Sequence, residues 1–67
     1  MKRSEIMAFY SDIKREPGEG ISILIDREIG VINVGVDSLS TLRNVPLAYT
    51  DEDGLTWDID PFIVKGR

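Results

Sequence analysis

Neither cysteine nor histidine occurs anywhere in this chain of 67 residues. A domain this small buries only about 60% of the surface its unfolded chain exposes. Folds of this size usually rely on disulfides, a structural metal or a partner subunit. Disulfides are impossible here, and so is a zinc site built on cysteine or histidine. What remains is a dense apolar core, a second subunit, or a hard cation held by oxygen. Leu, Ile, Val and Phe make up 21 of the 67 residues, which is a folded and not a disordered composition. The expectation is one small α+β domain spanning 1–67.

The same absence restricts chemistry. Ser11, Ser22, Ser38 and Ser40 have no imidazole to activate them, so no nucleophile–base pair can be assembled around a serine with histidine as base. Gly18 and Gly20 complete neither a dinucleotide nor a P-loop pattern. No enzymatic activity and no cofactor are expected. No segment reaches the roughly 20 apolar residues that span a bilayer. Lys2 and Arg3 could open a secretory leader, but Glu5 and Asp12 interrupt any apolar run behind them. No membrane association is expected, and the expected setting is cytoplasmic.

Residues 4–16 carry a helical pattern. Ser4 is a good N-cap type, and Glu5 suits the positive end of the helix dipole. Ile6, Met7, Phe9, Tyr10 and Ile13 fall on one stripe. That stripe reads as the core side of the helix, with a docking face as the competing reading. Lys14 and Arg15 suit the negative end, and Pro17-Gly18 stops the helix.

Beyond the helix the periodicity changes to two. Ile21, Ile23 and Ile25 share one face of residues 21–26, and Leu24 suggests cover on the other face as well. Ile32, Val34 and Val36 align in residues 30–36. The connector from Asp26 to Gly30 fits a hairpin, with Gly30 able to take positive φ. Gly35 inside the second strand marks a bulge or a close backbone approach. Residues 37–44 favour one helical turn capped by Asp37 or Ser38, with Asn44 at a left-handed exit, over an irregular loop or a short strand. Val45, Leu47 and Tyr49 share a face of residues 45–50, with Pro46 at an edge or strand start. In residues 55–60, Leu55, Trp57 and Ile59 point inward while Thr56, Asp58 and Asp60 point outward. Asp53-Gly54 is a strong hairpin dipeptide joining these two strands. Pro61 breaks the strand, leaving Phe62-Ile63-Val64 as a last short one. The expected architecture is an N-terminal helix packed on a four- or five-stranded antiparallel sheet. A small, partly closed β-barrel is the alternative.

Charge is unevenly placed. The net charge is -4. Residues 1–15 set four bases against two acids, whereas residues 45–64 hold Asp51, Glu52, Asp53, Asp58 and Asp60 with no base. Against a calcium-loop pattern, Asp51, Asp53, Gly54 and Asp60 occupy positions three, five, six and twelve. Tyr49 stands where the first carboxylate belongs, and position twelve is not glutamate. No metal site is expected. The hairpin reads first as solvated turn residues. As a functional surface, Asp51, Glu52, Asp53, Asp58 and Asp60 would engage a protein partner with a basic surface. Nucleic-acid binding would need Lys2, Arg3, Lys14 and Arg15 to gather with Lys65 and Arg67, with Tyr10 stacking. The sequence has no basic stripe with interleaved aromatics, so weak nucleic-acid binding through these terminal residues stands as a second alternative, behind the protein-binding and homo-oligomer readings.

The functional expectation is therefore a small acidic, non-enzymatic protein-binding module or modulator acting through its C-terminal hairpin. Its profile, by size and composition alone, is shared with accessory proteins of phages and mobile elements. The alternative is a structural homo-oligomer joined through an open sheet edge or the helix stripe.

Overall fold

Alternation in Val31-Ile-Asn-Val-Gly-Val36 puts three branched apolar side chains on one face, and in a computed structural model Ile32, Val34 and Val36 are fully buried. The structure describes residues 1–64. Its elements are α1 (Arg3–Asp12), β1 (Ser22–Asp26), β2 (Val31–Val36), α2 (Leu39–Asn44), β3 (Ala48–Thr50) and β4 (Thr56–Ile63). The expected α+β class with an N-terminal helix holds. The sheet has four strands in the order β1-β2-β4-β3 and is open, not a closed barrel.

The antiparallel expectation fails at one pairing. Both hairpins, β1–β2 and β3–β4, are antiparallel, but β2 and β4 run parallel, with Val31 opposite Asp58 and Val36 opposite Ile63. A parallel pairing needs a long crossover. The helical turn expected at 37–44 forms as α2, and this helix with β3 supplies the crossover. Ser38 caps it, its hydroxyl accepting from Thr41 N–H. The expected left-handed exit at Asn44 does not occur: the only positive φ values among the described residues are at glycines. Instead Val45 is extended and donates its N–H to Leu42 O.

Pro61 does not end its strand; β4 runs through it to Ile63. Hydrogen-bond phase explains why. The N–H groups of Asp58 and Val64 point at β2, donating to Gly30 O and Val36 O, while Ile59 N–H points the other way, at Leu47 O. Odd positions of β4 thus face β3, and β3 pairs only as far as Asp58. Pro61 lacks a donor where no strand awaits one, the edge setting in which proline is tolerated. The expected short strand at 62–64 is the end of β4, and the tail Lys65-Gly66-Arg67 lies outside the described residues.

Helix α1 is shorter than the pattern suggested and starts earlier. Lys2, not Ser4, is the N-cap, and Ile13 already has extended dihedrals. Beyond it, Arg15 folds back: its guanidinium donates to the carbonyls of Tyr10 and Ile13 and stacks on the Tyr10 ring at 4.2 Å. Asn44 donates to Lys14 O. The bond to Tyr10 takes up a carbonyl the last turn of the helix would otherwise leave open, and the other two do the same for the C-cap Ile13 and the residue after it. Phe9 and Ile13 enter the core with Val45, Trp57 and Ile59. Met7 stays exposed.

Three expected inward residues point to solvent. Leu24 is 70% exposed, because among the described residues no element packs over it on the sheet face opposite the helices. Leu47 is 72% exposed in the irregular entry from Pro46, before β3 begins. Leu55 is 61% exposed because it belongs to the turn, where its carbonyl accepts from Asp51 N–H. Gly35 marks a close approach, as expected. A Cβ there would lie 2.8 Å from Val64 Cγ2 and 2.9 Å from Phe62 Cζ.

Candidate functional site

The acidic hairpin separates into two kinds of carboxylate. Asp51 turns inward and is buried. Its Oδ1 accepts from the N–H groups of Asp53 (2.9 Å) and Leu55 (3.0 Å), and its Oδ2 accepts from the Trp57 indole N–H (2.9 Å). The indole donor, then the two backbone donors, hold its carboxyl below the ordinary value against the opposing effect of burial. Gly54 N–H donates to Asp51 O, and Gly54 has φ 83°. The connection is thus a three-residue loop with glycine in the left-handed position, not a two-residue turn. Asp51 is the lock of this loop and leaves no oxygen free for a partner.

Glu52 and Asp53 project from the loop tip, where Glu52 pairs with Lys2 at 3.2 Å. Both partners are largely exposed, and such pairs are worth little. Asp58 and Asp60 lie on β4, on the sheet face away from the helices, and both are exposed. Neither side chain carries a hydrogen bond or ion pair among the described residues. Two residues apart on one strand face, they sit about 7 Å apart along the chain.

Register places their neighbours. One row across the open face reads Asp26, Val31, Asp58, Ala48; the next reads Leu24, Asn33, Asp60; the third reads Ser22, Gly35, Phe62. The face therefore carries carboxylates on both β1 and β4, with the exposed side chain of Phe62 next to Asp60 along β4 and that of Leu24 across Asn33 on β1. Asp26 Oδ1 is partly engaged, accepting from Glu28 and Ile29 N–H at its own hairpin. Sequence alternation found Asp58 and Asp60; the apolar members needed the strand order.

The strongest polar site is one the sequence reading missed. Glu5 is buried at the start of α1 and accepts from Lys2 N–H (3.1 Å), Glu52 N–H (3.0 Å) and the Tyr49 hydroxyl (3.3 Å). Chiefly the Lys2 donor, with those of Glu52 and Tyr49, holds its carboxyl below the ordinary value although burial opposes this. Burial and the Glu5 charge push the Tyr49 hydroxyl up. Two of the three partners lie more than 40 positions away, so no local pattern could disclose them. Glu19 does the same for the loop after α1, accepting from Thr41 Oγ1, Glu16 N–H and Asp37 N–H. The Thr41 hydroxyl is the main cause of its lowered carboxyl.

A cleft of about 410 Å³ lies between α1 and β3, lined by Phe9, Ile13, Pro46, Ala48 and Tyr49, with Asp12 and Asn44 as its polar members. The basic residues do not gather. Lys2 and Arg3 lie at the start of α1, and Lys14 and Arg15 beyond its end, a separation of about 15 Å from helix rise. Lys65 and Arg67 lie outside the described residues. No group of three or more metal-ligating side chains occurs among the described residues. No helix there is long and apolar enough to cross a membrane. No protein-family model, curated protein or solved structure matches this chain.

Proposed function

We propose that this protein is a non-catalytic protein-binding module whose contact surface is the open sheet face bearing Asp58 and Asp60, extended at the loop tip by Glu52 and Asp53. The observation that carries this reading is that the side chains of Asp58 and Asp60 are exposed and unpaired among the described residues, on a sheet face that also exposes Phe62 beside them and Leu24 across Asn33. An uncovered face with both charge and apolar area suits a partner presenting Arg or Lys around an apolar patch. Asp51 belongs to the loop's framework and takes no part in contact.

The test is the double variant Asp58→Lys with Asp60→Lys, compared with wild type in a pull-down from source-cell lysate at low and high salt. The expected result is a partner bound by wild type, weakened by salt and lost in the variant, with the circular dichroism spectrum unchanged. Binding unaffected by the double reversal would move the contact elsewhere.

A second reading, a homo-oligomer, is favoured by a separate observation. Met7, Leu24, Ile29, Leu39, Leu47 and Leu55 are all more than half exposed, in a fold that has no disulfide to reinforce it.

A further inference from the structure

The two edges of the sheet are not alike. The β3 edge is short, bounded by Pro46, and β4 continues past it with Pro61 facing outward. Short strands and prolines are common ways of blunting a sheet edge. The β1 edge is Ser22-Ile-Leu-Ile-Asp26, with neither proline nor charge before its last residue. Its backbone phase follows from the ladder. Gly30 O and Val36 O point at β4, so the even positions of β2 face β4 and the odd positions face β1. Val31, Asn33 and Gly35 therefore pair with Asp26, Leu24 and Ser22. Ile23 and Ile25 are left with their N–H and C=O groups directed away from the sheet. Among the described residues, no bond outside the ladder reaches either of them.

We propose that two copies of this chain join through β1, antiparallel about a two-fold axis at Leu24; this rests on the self-association reading and names its interface. In this register Ile23 faces the partner's Ile25, and Ile25 faces the partner's Ile23. These two pairs exchange about four N–H···O bonds, using the groups left open in the monomer. Leu24 meets its own copy at the non-hydrogen-bonded position, where side chains stand closest. Ser22 faces the partner's Asp26, so no like charges are opposed. The strand is thus self-complementary, as a two-fold interface requires. The product is one eight-stranded sheet with both open faces on the same side.

Sedimentation across a hundredfold concentration range, with amide hydrogen exchange on the same samples, tests the proposal. The expected mass rises to twice 7.5 kDa. At high concentration the Ile23 and Ile25 amides exchange as slowly as that of Leu24, and on dilution only those two become fast. Leu24→Lys places two ammonium groups opposite each other. It is expected to weaken association by about tenfold or more, with the fold intact because Leu24 is exposed. Phe62→Lys, two strands away on the same face, leaves association unchanged. A monomer at every concentration would overturn self-association altogether. A dimer with fast-exchanging Ile23 and Ile25, or one broken by Phe62→Lys and not by Leu24→Lys, would overturn this interface while leaving self-association standing.

Discussion

Three carboxylates hold this small fold together, and each has one physical task. Asp51 closes the β3–β4 loop onto Trp57, Glu5 joins the start of α1 to that hairpin, and Glu19 fastens the loop after α1 to α2. All three have lowered carboxyl pKa values, so the folded state binds protons less readily than the unfolded chain. The stability they give is fully present above the ordinary values of 4.5 for Glu and 3.8 for Asp. It is lost as pH falls through the lowered folded-state values. The melting temperature is expected to hold nearly level from pH 7 to pH 5 and to fall steeply below about pH 4.5. Trp57 is the sole tryptophan, so its fluorescence reports on Asp51 directly. Asp51→Asn should red-shift its emission and lower the melting temperature at pH 7. The variant should also lose less stability than wild type between pH 5 and pH 3. An equal acid loss in both proteins would show that Asp51 is not a contributor. These tasks were hard to read in the sequence. Asp51 looked like one more acid in a charged turn, and only the indole six residues on reveals its direction.

At the scale of elements, alternation was a good guide to faces and a poor guide to partners. The burial of Ile32, Val34 and Val36 was legible because β2 is paired on both sides, so its pattern has one meaning. Ile32→Ala should therefore cost about 2–5 kcal/mol in denaturant unfolding. Leu24→Ala, on the uncovered face, should change monomer stability by less than about 0.5 kcal/mol. Similar losses from the two would mean that the outer face is covered in the monomer. Leu55 and Leu47 misled for a common reason. Both fit the period of a strand, but one sits in the turn and the other before the ladder starts. Pro61 misled because its effect depends on which way its nitrogen faces, and that is set by the neighbour and not by the proline. Pro61→Ala is accordingly expected to leave the sheet intact, with a melting temperature close to wild type. A marked gain in stability would indicate that a donor at position 61 finds an acceptor after all.

For the whole molecule, the class of fold was legible and the strand order was not. Two hairpins and a helix can be assembled as a meander, with sequential strands adjacent. Instead α2 carries the chain across, β4 enters beside β2, and β3 is displaced to the edge. That choice creates the candidate surface. It brings Asp60 level with Asn33 and Leu24, and Phe62 level with Gly35, so a hairpin's acidic side becomes part of a broad open face. The measurement that tests this most directly is amide chemical-shift mapping of the protein with the partner captured by wild type and lost with Asp58→Lys and Asp60→Lys. The predicted result is a set of shifts confined to Leu24, Asn33, Asp58, Asp60 and Phe62 and to the loop tip at Glu52 and Asp53, with α1 and the cleft beside it unmoved. Shifts centred on Phe9, Ile13 and Tyr49, with Asp58 and Asp60 silent, would contradict the account and place the contact on the opposite side of the sheet.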